Sequence, residues 1–248
     1  MRIHGPRHEA GWTALRSAAV SREGVILITA LVALVALGTA GRPATFVRWF
    51  GPDSTSGAFA GLLPFVWSAA ASVVTRLLLP LVVILLILRE PARTFGFGLP
   101  RERAAWLPYA ALYAVMVPVI WAAAGTDAFQ RKYPLWTGAS ASWLALAVYE
   151  VRYFFIFLSG EAFWRGFLVC GLSPRFGAHA ISISMLPYVC IHFGKPPAET
   201  LGAIVTAYVL GALALRHRSF WPGVVLHYAV ALSMDLFALA RGSGFPPL

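Results

Sequence analysis

The chain contains no asparagine, only two cysteines, and ten acids against eighteen Arg and two Lys. Charged residues make up 12% of its 248 positions and apolar residues 59%, well above the roughly 45 to 50% apolar share of soluble domains. That balance excludes a water-soluble globular domain. The two cysteines, Cys170 and Cys190, both fall in apolar runs, so each is expected to be a free thiol packed as a small hydrophobe, with a bridge between neighbouring helices as the alternative. The excess cations are spread through short loops instead of clustering with aromatics, which excludes nucleic acid as a partner. The first apolar run is preceded by a long basic segment and no A-x-A lies directly behind it, the nearest being Ala58-Phe59-Ala60, so that run is expected to be retained and not removed as a signal peptide. No repeated halves of the kind common in transporters are visible, which disfavours transport.

Long apolar runs dominate what remains. Mean hydropathy is +0.72, and most runs approach the ~20 residues a helix needs to cross ~30 Å of hydrocarbon. The pattern predicts an all-α fold, a polytopic membrane helix bundle of about seven to eight transmembrane helices. A polar arm over residues 1–23 is expected in the cytoplasm, followed by one transmembrane domain over 24–248. Spans are expected at 24–40, 65–88, 104–124, 141–171, 178–193, 198–215 and 219–240. With the N-terminus inside, the arm, the basic loop 89–103, Arg175, Arg216 and Arg218 all fall on the inner side. The outer loops hold fewer cations, namely Arg42, Arg48, Arg131, Lys132 and Lys195. This is the positive-inside pattern, and it predicts a multi-pass protein of the cell membrane with the bilayer as its surroundings. In span 198–215, Ala203, Ala207 and Gly211 recur every four residues, a stripe that lets a neighbouring helix approach closely.

Ionisable groups inside such spans cost at least ~2.5 kcal/mol each and mark function by default. Glu161 and Arg165 lie four residues apart in one apolar span, on one helix face and in the better order for pairing. At 1.5 Å per residue from the expected inner turns, Glu161 lies ~15 Å deep, His192 ~21 Å and His227 ~12 Å. Three helices thus offer a carboxylate and two imidazoles near mid-membrane. An enclosed hydrolytic site needs such a set: a base to activate water, and imidazoles to bind metal or stabilise an oxyanion. Arg165 is expected to clamp Glu161, since a permanently charged guanidinium carries protons poorly. Glu150 lies eleven residues before Glu161, ~16 Å away along the helix, too far to form a carboxylate pair with it. Asp235, eight residues beyond His227, is a candidate accessory residue.

Two other intramembrane chemistries find no support. The H-E-x-x-H motif of zinc proteases does not occur, and Ser159 is preceded by Phe157-Leu158, leaving only Ser-Gly of a G-x-S-G serine motif.

Glu161-Ala162-Phe163-Trp164-Arg165-Gly166 resembles the first motif, E-E-x-x-x-R, of the CPBP intramembrane proteases. That family includes the type II CAAX prenyl endopeptidases and the bacteriocin-processing or self-immunity (ABI) proteins. Tyr188-Val189-Cys190-Ile191-His192 resembles its second motif, F-x-x-x-H, which makes Tyr188 a further accessory candidate; Trp221 to His227 resembles the approach to the last, H-x-x-x-N. The resemblance covers residues 141–240. It implies a bundle of about eight spans and hydrolysis of a peptide bond, in a membrane-associated protein or peptide, by a Glu- and His-activated water. The catalytic set it implies is Glu161, Arg165, His192 and His227. The family's description as metalloproteases implies a divalent metal such as zinc, with His192 and His227 as its ligands. Two positions depart from the motifs: Gly160 stands at the first Glu, and Ala231 at the Asn. They leave a second reading open, a catalytically weak or inactive relative acting as a membrane binding or immunity module.

Overall fold

The computed structural model describes residues 16–51, 61–193, 197–242 and 244–246. Most of the expected N-terminal arm, and Lys195, lie outside the described residues. Among those described there are helices and turns and no strand. The chain is a polytopic helical bundle. Its principal helices are α1 (Arg22–Thr39), α2 (Pro43–Phe50), α3 (Leu63–Leu88), α4 (Leu107–Ala123), α5 (Trp143–Phe176), α6 (His179–Cys190), α7 (Pro197–His217) and α8 (Trp221–Arg241).

Helix α5 is the centre of this bundle. It is the longest span, and 78% of its most apolar window is buried, against 17–44% for the other five long helices. Ser142 caps its start by accepting a hydrogen bond from the Ala145 amide at 3.1 Å. Helices α3 and α8 pack on its first half, and α6 and α7 pack on its second. That second half, Ala162–Cys170, is wound as a π-helix, and every residue in it is buried. The wider turn is a frequent mark of functional segments. Helix α3 is a single span, as expected, although Pro80 stands inside it. Proline removes one donor from the i→i−4 ladder, and α3 carries π-turns on both sides of it, at Val74–Leu78 and Val83–Leu88.

Among the described residues, six helices are long and apolar enough to cross a membrane. The fifth of the seven expected spans, 178–193, is corrected by the structure: its helix has 12 residues and reaches only ~18 Å at 1.5 Å per residue. It ends at Cys190, and residues 191–193 form a turn. The chain still passes from one end of the bundle to the other here. Glu199, at the start of α7, pairs with Lys132 at 3.1 Å on the far side, whereas α6 begins just after α5 ends. Cys190 is an exposed free thiol and Cys170 a buried one, so only Cys170 is packed as the sequence implies.

The basic end of the bundle is tied together by polar contacts. Arg22 holds Glu90 through two nitrogens, at 2.6 and 3.0 Å, and reaches the Gly171 carbonyl. The Phe220 amide donates to the Gly96 carbonyl at 3.2 Å, and the Trp221 indole to that of Phe97 at 2.9 Å. These contacts collect the start of α1, the loop after α3, the end of α5 and the turn before α8 at one end. The stripe on α7 also packs as expected, since a Cβ on Gly211 would stand 2.9 Å from Ile181 of α6.

Gly166 gives a direct test of this packing. A Cβ there would meet the Phe95 carbonyl oxygen at 2.8 Å and the Phe220 ring at 3.0 Å; the first is backbone and cannot swing aside. Gly166→Ala is expected to cost about 1–3 kcal/mol by overpacking, read as a lower unfolding temperature in detergent. Gly38→Ala is the control: nothing lies within 4 Å of its Cβ position, and alanine favours the helix.

Candidate active site

Glu161 is the last α-helical residue of α5 before the π-turn, and Arg165 follows one turn later. The Arg165 Nη1 lies 3.0 Å from Glu161 Oε1, with the two side chains only 3% and 2% exposed. The same oxygen accepts a hydrogen bond from His227 Nδ1 of α8 at 2.7 Å. A carboxylate paired with a guanidinium accepts and does not donate, so the Nδ1 proton resides on His227. In the neutral imidazole Nε2 then carries the lone pair, and among the described residues no hydrogen bond to it is seen. The imidazole is stacked on Phe157 at 5.6 Å between ring centroids. At 22%, its side chain is far more exposed than the 2% of its partner, so His227 is the member of the pair that meets the surroundings.

Helix α8 comes this close because of Gly223, one turn before His227. A Cβ on Gly223 would stand 2.6 Å from Glu161 Oε2. That oxygen is buried without a hydrogen-bond partner. Gly223→Ala is accordingly expected to push the carboxylate off His227 Nδ1 and to depress any activity of the pair more than it depresses stability. Comparing turnover with unfolding temperature in the same preparation checks this.

The other sequence candidates form a chain leading away from the pair. Arg165 lies over the Tyr188 ring at 4.7 Å, and its Nη2 reaches the Thr206 carbonyl at 3.4 Å. The Tyr188 ring lies 4.7 Å from that of His192. His192 Nδ1 donates to the Tyr188 carbonyl at 2.8 Å. His192 thus sits in the turn beyond α6, joined to Glu161 through Tyr188 and Arg165. Asp235 stands elsewhere. It is fully buried and neighbours Glu150 and Tyr149, in a second polar cluster that also holds Arg152, and both its carboxylate oxygens are buried without a hydrogen-bond partner. There Arg152 is caged by the rings of Tyr149, Tyr153 and Phe65 at 4.4, 4.8 and 5.4 Å.

Arg76 of α3 is the residue that sequence reasoning did not bring to the site. It is 7% exposed. Its Nε donates to Ser72 Oγ at 2.9 Å, and its Nη2 to the same oxygen and to the Ile156 carbonyl. Ser72 in turn bonds Ser159 of α5 at 2.5 Å. The guanidinium faces Gly160, whose Cβ position is 3.6 Å from Nη1, and it lies within electrostatic range of Glu161 and Tyr188. A cation in the middle of an apolar run was the available signal.

A catalytic zinc site takes three protein ligands and leaves an open position. The donors here do not fit one. Glu161 Oε1 is already held by a guanidinium and an imidazole N–H, and the Nδ1 atoms of His227 and His192 are both engaged as donors. Among the described residues, no three His, Cys, Asp or Glu side chains come together in a way that could hold a metal ion.

Residues 141–233 match the family model of the type II CAAX prenyl endopeptidase Rce1-like proteins. The matched segment runs from just before α5 into α8 and includes Glu161, Arg165, His192 and His227. Searches of curated proteins and of solved structures return no match. Residues 141–233 thus form a domain similar to the type II CAAX prenyl endopeptidase Rce1-like proteins, which supports a CPBP/CAAX protease assignment, in an integral membrane protein whose described residues include six helices long and apolar enough to cross a bilayer.

Proposed function

We propose that the protein is an intramembrane endopeptidase that hydrolyses a peptide bond of a membrane-associated protein or peptide, with Glu161 and His227 acting as one unit. The observation that carries this reading is the 2.7 Å hydrogen bond from His227 Nδ1 to Glu161 Oε1, in a pair of which only the imidazole is appreciably exposed. Glu161 fixes the tautomer and stabilises the imidazolium that forms, as a buried carboxylate does for a catalytic histidine. His227 Nε2 takes a proton from water as its oxygen attacks the scissile carbonyl carbon. The same proton then passes to the leaving nitrogen as the C–N bond breaks, giving an acid and an amine. This assignment moves the base from Glu161, where the sequence put it, to His227. Arg165 holds Glu161 in place, and Tyr188 with His192 extends that support. No step runs through a metal.

The test is processing of a membrane-anchored reporter by the purified protein in proteoliposomes. His227→Ala is expected to lower the rate by about 10²-fold or more, the usual scale of general base catalysis, and EDTA to leave the wild-type rate unchanged. Wild-type turnover retained in the variant rejects the assignment, and a loss on chelation that zinc restores rejects the metal-free route. The protein is further proposed to sit in the cell membrane with its basic end, including Arg22 and Arg216, in the cytoplasm.

A further inference from the structure

The second polar cluster takes no part in the mechanism above, although it lies on the same α5–α8 interface as the Glu161–His227 pair. Asp235 stands ~12 Å beyond His227 along α8, and Glu150 ~16 Å before Glu161 along α5, both away from the basic end. The two carboxylates are enclosed, Asp235 at 0% exposure and Glu150 at 6%, and all four of their oxygens are buried without a hydrogen-bond partner. The Tyr149 hydroxyl is a separate sign of a ligand. Its residue is also 0% exposed, it lies beside Asp235, and it too is buried without a partner. The charges do not balance either. Arg152 lies on the ring faces of Tyr149, Tyr153 and Phe65 and donates from Nε to the Tyr149 carbonyl at 3.3 Å, but it is ion-paired with neither acid. Tyr133, Tyr153 and Tyr228, the other ionisable groups near Asp235, are neutral phenols at pH 7. One guanidinium against two carboxylates leaves the cluster one positive charge short, and a buried charge is paired or coordinates a metal. A proton bridges two oxygens, whereas a hard cation takes several oxygen ligands at once. The missing charge is single, which selects a monovalent ion, and sodium is small enough to sit between neighbouring oxygens without a cavity of its own.

We propose that Glu150, Asp235 and the Tyr149 hydroxyl form a sodium site that links α5 to α8. Each helix supplies one carboxylate, and Tyr149 adds a neutral oxygen beside them. With Arg152 and the ion together, the cluster is neutral. The same two helices carry Glu161 and His227, so the ion clamps the interface across which that pair bonds. The site does not depend on the hydrolytic reading, nor on the chelation result expected there, because EDTA does not strip sodium.

The experiment follows the unfolding temperature of the full chain in detergent, at neutral pH and constant ionic strength, as choline chloride is replaced stepwise by sodium, potassium or calcium chloride. Sodium is expected to raise it saturably, by about 2–4 °C or more for a chain of this size. In Asp235→Asn and Glu150→Gln, which keep the shape of each side chain, that response is expected to vanish. In Tyr149→Phe its midpoint is expected to move to severalfold higher sodium. No rise over choline, a rise that potassium matches, a response to calcium alone, or one that persists in both acid variants overturns the site. If no cation acts, and acidification stabilises the wild type but not Asp235→Asn, the cluster holds a shared proton and the sodium site is rejected. Should an acid variant not fold, binding of radiolabelled sodium to the wild type and to Tyr149→Phe decides. Saturable binding that weakens in the variant supports the site; no binding, or equal binding in the two, rejects it.

Discussion

Glu161→Gln is expected to lower processing by about 10²- to 10⁴-fold per folded molecule, the range seen when a carboxylate that orients a catalytic histidine becomes an amide. The reason lies in the two neighbours of Oε1. Arg165 is ion-paired with that atom at 3.0 Å and His227 donates to it, and an amide has only one oxygen to offer. If the amide oxygen serves Arg165, its NH₂ faces His227 Nδ1, which must then accept; the proton moves to Nε2 and the base is lost. If the oxygen serves His227, the NH₂ meets the guanidinium, and neither orientation satisfies both. Residues that act as a unit are non-additive. The double variant Glu161→Gln/His227→Ala is therefore expected to be no slower than the worse single variant, measured as reporter processing normalised to folded protein. Two losses that multiply would mean separate roles and would break the proposed unit.

How far the sequence carries toward this arrangement depends on what each signal encodes. Helical spacing fixes angle and rise within one helix, so the Glu161–Arg165 pair and the small-residue stripe on α7 are legible directly. Depth counted from the basic turns also carries across helices: Glu161 and His227 were expected at similar depth and do meet. Rotation of one helix against another is not encoded in this way. Asp235 could have faced Glu161 or Glu150, and only the packing of α8 on α5 brings it to Glu150. Hydropathy reports composition and not helix length, so α6 was overestimated; with Pro187 in its last turn it ends at Cys190, leaving His192 in a turn. Arg76 and Gly223 were hidden for opposite reasons. The first is a long side chain whose reach into α5 is a tertiary matter. The second acts by having no side chain, through the 2.6 Å that a Cβ would leave to Glu161.

The charge count around Gly160 sets an order of stabilities. The native site holds one buried carboxylate and two guanidinium groups. Arg165→Met leaves one of each, with Glu161 still bonded to His227. Glu161→Gln leaves two guanidinium groups and no carboxylate, the least balanced of the variants. Removing one partner of a buried ion pair costs about 3–5 kcal/mol because the remaining charge is stranded. Glu161→Gln is expected at the upper end of that range and Arg165→Met at the lower. Replacing a whole buried pair with neutral groups is often close to neutral, so Glu161→Gln/Arg165→Met is expected to regain most of what Glu161→Gln loses, even though it carries the additional substitution. Denaturant unfolding in detergent micelles measures all three. A double variant as unstable as the sum of the singles would mean that the Arg165–Glu161 contact at 3.0 Å contributes no coupling. Full recovery of stability with no recovery of processing would show the pair supporting the fold and the chemistry by separable means: its charges balance each other for folding, while only the carboxylate orients His227.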